Sequence, residues 1–205
     1  LRRRTDRPPR VDDSAALSSR RVVWQFPGQG VLRGGVCRDL LESEASFGAA
    51  LRQCDDALRP LLGGMGASDL LYPETTGRLS TPEADALLSE TRYAQPVLAA
   101  LEWSVSEVWR SSGIVPDAVL GHSLGEYVAA VVAGVWSIED CLRVVCTRGR
   151  LTQELCTEAG CMVSVRASAA DVALAIDAIG VSSEVSIAAV NGSDSTVVSG
   201  AEAAV

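Results

Sequence analysis

Apolar residues along this chain alternate between short strand-like runs and helix-spaced stripes. Arg21-Val22-Val23-Trp24-Gln25-Phe26 reads as a strand, closed by Pro27-Gly28-Gln29-Gly30, a turn whose glycines allow close backbone approach. A helix is predicted from about Asp39 to Leu61, broken by Gly63, Gly64 and Gly66. Ser80 or Thr81 then caps a new helix, with Pro82 in its first turn and Glu83 completing a capping box with Ser80. The spacing of Val97, Leu98, Leu101, Val105, Val108 and Trp109 predicts a longer helix over Thr91–Ser112, with Gly113 as its stop.

Asp117-Ala118-Val119-Leu120 reads as a buried strand. It runs into Gly121-His122-Ser123-Leu124-Gly125 and then an Ala/Val-rich helix from Glu126 to Gly134; a second helix covers Ser137 to Leu155. Further on, Met162-Val163-Ser164-Val165 is a strand and Ser168 caps a helix reaching about Ile179. Val185–Val190 and Thr196–Ser199 are two more strands, with Asn191-Gly192 in the turn between them. Strand, turn and helix in series indicate an α/β fold with a mainly parallel sheet, and the closing β-α-β-β order indicates a partial, ferredoxin-like subdomain of split-βαβ type. The expected division is a linker over 1–20, where Arg, Pro, Asp and Ser occur without apolar periodicity, a core over 21–160 and the subdomain over 161–205.

Composition narrows the function. At 205 residues and 47% apolar content the chain has ample material for a core. Its eighteen basic residues are all arginines, and seven of them fall in the first twenty-one positions. The remainder carries eleven arginines against twenty-three acidic residues, a balance of −12 that excludes tracking of a phosphate backbone, so no nucleic-acid partner is expected. Without lysine there is no Schiff-base or P-loop lysine chemistry. The longest uncharged apolar stretch, Tyr127 to Ile138, is too short to span a bilayer, and Leu1 to Arg21 has no apolar core of a secretory signal; a cytoplasmic protein without a membrane partner is expected. The six cysteines form no Cys-x-x-Cys pair and, beside a single histidine, read as small buried packing groups rather than metal ligands.

The chemistry concentrates at Gly121-x-Ser123-x-Gly125. This pattern, after a strand and before a helix, fits a nucleophile elbow. The serine projects from a tight turn, flanking glycines remove Cβ atoms that would clash, and the next N–H, of Leu124, points at the developing oxyanion beside a helix N-terminus. A serine needs a base, and His122, the one histidine, is adjacent to Ser123, where neighbouring side chains diverge; packing or hydrogen bonding beside the nucleophile suits it better than proton abstraction.

Phe26-Pro27-Gly28-Gln29-Gly30, Tyr93-Ala94-Gln95-Pro96-Val97-Leu98, Gly121-His122-Ser123-Leu124-Gly125-Glu126-Tyr127, Arg148-Gly149-Arg150 and Asn191-Gly192…Val197-Val198-Ser199-Gly200 together resemble the acyltransferase domain of modular polyketide synthases and the related malonyl-CoA:acyl carrier protein transacylases. The resemblance runs from about residue 21 to the end and corresponds to the first two-thirds of such a domain. It implies an α/β-hydrolase-like core with a ferredoxin-like insertion. It makes Ser123 the acyl-ester nucleophile, Gln29 and Leu124 the oxyanion hole, and Arg148 the clamp for the free carboxylate of a malonyl group, a role for which a planar guanidinium is well shaped. Gln95, His122 and Asn191 become substrate-binding residues. No cofactor is implied; malonyl-CoA is the substrate, an acyl carrier protein with its phosphopantetheine arm is the acceptor, and a ketosynthase domain or linker lies adjacent. The family's general base is a histidine that would fall well beyond Val205. Tyr93-Ala94-Gln95-Pro96 and Leu124 resemble malonyl-selective rather than methylmalonyl-selective members. Val31-Leu32 stands where the family commonly has Ser-Gln, and Ser193 where proline is common. Two other readings of the elbow stay open: a serine hydrolase or thioesterase, although the chain has no Gly-rich oxyanion loop of the HGGG kind, and a catalytically incomplete fragment that holds the nucleophile without its base.

Overall fold

The structure, a computed structural model, describes residues 21–30, 32–156 and 159–205. The segment 1–20 read as a linker, and Val31 of the departure noted above, lie outside the described residues. In chain order the elements are β1 (Val23–Phe26), α1 (Arg38–Ser43), α2 (Ala45–Leu58), α3 (Ala67–Leu71), α4 (Pro73–Thr76), α5 (Thr81–Leu88), α6 (Thr91–Ser111), β2 (Ala118–Gly121), α7 (Gly125–Val132), α8 (Ile138–Leu155), β3 (Gly160–Val165), α9 (Ala169–Ile179), β4 (Val185–Gly192) and β5 (Ser195–Ala201). They part into two compact units, with the division between Gly149 and Arg150 inside α8. Among the described residues no helix is long and apolar enough to cross a membrane.

In the first unit β1 and β2 run parallel, paired from Val23 with Ala118 to Phe26 with Gly121. The core lies among α2, α6, α7 and α8, where Phe47, Leu51, Cys54, Leu58, Val97, Leu124, Val128, Leu142 and Val145 lose nearly all contact with solvent. The single helix expected over 39–61 is two helices: Glu44 adopts extended backbone and restarts the chain, and only α2 carries a fully buried face. The short helices α3 and α4 were not foreseen. Buried Asp69 secures the turn before α3, accepting from Arg59 at 2.9 Å, Arg78 at 3.2 Å and the Gly66 N–H at 2.9 Å. The capping box of Ser80 and Glu83 forms as read, the Ser80 N–H donating to Glu83 at 2.8 Å.

Helix α6 keeps most of the expected stripe against the core and buries small residues beside it. Val97 and Leu101 are buried as spaced, Ala94, Ala100 and Ser104 are buried as well, and the helix packs along α2. Leu98 and Val105, partly buried against the core, also line with half-exposed Trp109 a groove of about 520 Å³ beside β1, walled by Trp24, Phe26 and Ile114. Glu102 also lines that groove. It is 8% exposed, and neither carboxylate oxygen has a hydrogen-bond partner among the described residues.

The second unit is a three-stranded antiparallel sheet in the order β3-β5-β4, with α9 against it. Ser168 caps α9 by accepting from the Asp171 N–H at 3.2 Å. Asn191 and Gly192 are not the turn residues expected: they belong to β4, whose bulged pairing with β5 carries it two residues further, and Ser193-Asp194 make the turn.

Of the cysteines, Cys54, Cys141 and Cys146 are buried as read, whereas Cys37 and Cys161 are half-buried and Cys156 is exposed.

Burial pushes the Glu102 carboxyl up to about 8. Its folded value therefore lies above its unfolded one, the native state holds the extra proton, and this group makes stability fall as pH rises from about 4.5 to 8. Glu102→Gln is expected to raise the melting temperature more at pH 8 than at pH 5; equal shifts at both would show that Glu102 ionises normally.

Candidate active site

The site begins where two strands end together. The parallel pairing aligns Phe26 with Gly121, and the His122 N–H continues it by donating to the Phe26 carbonyl at 2.9 Å. The loop after β1 and the turn after β2 therefore leave the sheet at the same end. Carboxyl ends of parallel strands are where α/β sheets form their ligand crevices.

Both glycines of the elbow are sterically required. A Cβ on Gly125 would run into the carbonyl oxygens of Phe26 and Pro27, and one on Gly121 into the backbone of Glu126. Between them Ser123 holds φ +52°, a left-handed conformation that, among the described non-glycine residues, it shares only with Cys37. The turn closes through Gly125 N–H to His122 O at 3.0 Å and Glu126 N–H to Ser123 O at 3.2 Å, which leads directly into α7. Ser123 is thus exposed on a tight strand–helix turn, at a helix N-terminus that favours negative charge. Buried Leu124 fastens the turn to the core.

The loop Pro27–Gly30 lies over the elbow. A Cβ on Gly28 would meet the His122 ring Nδ1 at 2.9 Å and the Ser123 Cβ at 3.3 Å. Gln29 is held by a line of side-chain hydrogen bonds. Arg148 donates to Gln95 Oε1 at 2.5 Å, Gln95 Nε2 donates to Thr91 Oγ1 at 2.8 Å, and the Thr91 hydroxyl donates to Gln29 Oε1 at 3.2 Å. Gln95 is 2% exposed and Arg148 is half-buried. The guanidinium carbon also lies 6.0 Å from the ring centre of Tyr127, four residues past Ser123, which brings the charge of α8 to the first turn of α7. Gly149 makes this possible. It is buried where α8 crosses the start of α6, with the Arg92 Cα and Thr91 carbonyl 3.0 Å from where its Cβ would be.

Ser123, Gln29, Leu124, His122, Gln95 and Arg148 therefore share one neighbourhood of the first unit. Asn191 lies in β4 of the second unit, exposed. Thr91 was read only as the start of a helix; its four-residue spacing to Gln95 was the available signal. Tyr127 lies in the elbow motif, and its contact with Arg148 has no local signal in the sequence. Burial pushes the Cys141 and Cys146 thiols up to about 12 and that of Cys54 higher still, so these three cysteines are weak nucleophiles.

Residues 23–205 match the acyl transferase domain family. The chain is 38% identical to the polyketide synthase GfsB of Streptomyces halstedii over 192 residues, 94% of this chain and 3% of that protein. It is 47% identical to the PKS-NRPS hybrid synthetase acdB of Aspergillus candidus over 185 residues, 88% of this chain and 7% of that protein. Among solved structures it resembles the acyl transferase domain of ZmaA with a TM-score of 0.81 and 33% identity, over 90% of this chain and 41% of that one. The chain thus spans less than a tenth of these curated relatives and under half of the solved one.

The crossing at Gly149 gives a test. Gly149→Ala is expected to cost about 1–3 kcal/mol in urea unfolding, as overpacking against backbone does. Gly30→Ala, with nothing within 4 Å of its Cβ position, is expected to change stability by less than about 0.5 kcal/mol.

Proposed function

The chain belongs to the acyl transferase domain family, and on that premise we propose that it loads a malonyl-type group from coenzyme A onto Ser123 and passes it to the phosphopantetheine thiol of an acyl carrier protein. The observation that carries this reading is the arginine. Arg148 stands at the first turn of the elbow helix, hydrogen-bonded to a buried glutamine. A half-buried guanidinium beside an acyl nucleophile suits an acyl group with a second, free carboxylate.

In the first half-reaction the Ser123 oxygen attacks the thioester carbonyl and its proton passes to a base. The base in this reading is a histidine beyond Val205; His122 packs against Gly28 beside the nucleophile. The oxyanion is received by Gln29 and the Leu124 N–H at the start of α7. The C–S bond breaks, the coenzyme A thiol leaves with the proton, and a serine ester remains. In the second, the carrier thiol attacks the ester, the C–O bond breaks and Ser123 is restored. Malonyl is favoured over methylmalonyl on the Tyr93-Ala94-Gln95-Pro96 and Leu124 pattern, and the single methyl is worth about 1–3 kcal/mol of discrimination. The same reading gives residues 21–160 an α/β-hydrolase-like core, residues 161–205 a ferredoxin-like subdomain, and a neighbouring ketosynthase domain or linker in a cytoplasmic synthase.

Incubating the intact protein with malonyl-CoA is expected to place a malonyl ester on Ser123, read by mass spectrometry and absent in Ser123→Ala. Label that survives the substitution overturns the nucleophile. Arg148→Ala is expected to lower malonyl loading and shift preference toward acetyl-CoA; unchanged preference overturns the clamp. Release of free malonate faster than transfer to a carrier thiol would favour a hydrolase.

A further inference from the structure

The line from Arg148 to Gln29 has a fixed direction. An arginine only donates, so it takes the Oε1 end of Gln95 and turns Nε2 of that amide toward Thr91. The Thr91 oxygen accepts there, which commits its hydrogen to Gln29 Oε1 and leaves the Nε2 end of Gln29 facing away from Thr91. Gln29 sits between Gly28 and Gly30, in a loop whose backbone has little preference of its own, so a side-chain tether decides where it stands. Thr91 is the one member of the line that must accept and donate through a single oxygen.

We propose that Thr91 is a positioning residue: its hydroxyl ties the loop bearing Gln29 to the Arg148 clamp, so that a carboxylate held by Arg148 also fixes the oxyanion loop over Ser123. This rests on the functional reading above. A substrate carboxylate immobilises the guanidinium, the guanidinium immobilises buried Gln95, and Thr91 passes that order to Gln29. An acyl group without a carboxylate leaves the line less constrained. The hydroxyl should therefore contribute more to loading of malonyl than of acetyl groups, and it should act on kcat more than on KM, because the loop serves the transition state rather than the bound thioester.

The test is self-loading of the intact protein with malonyl-CoA and with acetyl-CoA, for the unsubstituted protein, Thr91→Val and Thr91→Ser. Thr91→Val keeps the shape and removes both hydrogen bonds; it is expected to lower kcat for malonyl about tenfold with KM within about twofold, and to lower the malonyl-to-acetyl preference. Thr91→Ser is expected to restore both. A valine variant that partly unfolds would lose both substrates alike, so the preference ratio still reads the hydroxyl. An unchanged ratio in Thr91→Val, or a serine variant as impaired as valine, overturns the inference while Ser123 labelling of the unsubstituted protein upholds the functional reading. Absence of that labelling overturns both.

Discussion

The hydrogen bond from the His122 N–H to the Phe26 carbonyl holds two strand ends together at the point where both loops of the site begin. Once β1 and β2 end side by side, the chain after β2 must turn within three residues to start α7. The only room is against the carbonyls of Phe26 and Pro27, and that room exists because Gly125 has no side chain. The left-handed backbone of Ser123 follows from this crowding. So does the position of Gly28 over the elbow. The exposed serine and its neighbouring loop are two results of one backbone registration.

The arginine reaches the site by a separate packing decision. Helix α8 buries Cys141, Leu142 and Val145 in the core and crosses the start of α6 at Gly149. The residue just before that crossing is Arg148, so the glycine that allows contact also delivers the charge. Gln95, buried on α6 directly after its first turn, meets the guanidinium and gives its oxygen a charged donor. A buried amide and a half-buried cation solve each other's desolvation problem, and the loop residue Gln29 is drawn into the solution through Thr91.

Much of this could be read from residue order. The elbow was legible because its requirements are local: a strand, two glycines, a serine and a helix start within a few residues. The capping box at Ser80, the cap at Ser168 and the boundaries of α6 and α8 were legible for the same reason. The burial of small Ala94, Ala100 and Ser104 on α6 was not, because apolar periodicity is carried by large residues; nor was the groove lined by Leu98, Val105 and Trp109. The extension of β4 through Asn191-Gly192 depends on a bulge set by pairing with β5, which a turn-forming dipeptide outweighs on paper. Thr91 escaped notice because its importance lies in contacts with residues distant in sequence.

The positive φ at Ser123 has a chemical corollary. A side chain branched at Cβ is poorly tolerated in left-handed backbone. Threonine carries the same functional group as serine, yet it would bring a methyl into a turn already crowded by Gly28 and the Phe26 carbonyl. The elbow therefore distinguishes a primary from a secondary alcohol before any substrate arrives. An ester formed on this primary oxygen would be less hindered than one formed on a threonine at the same place.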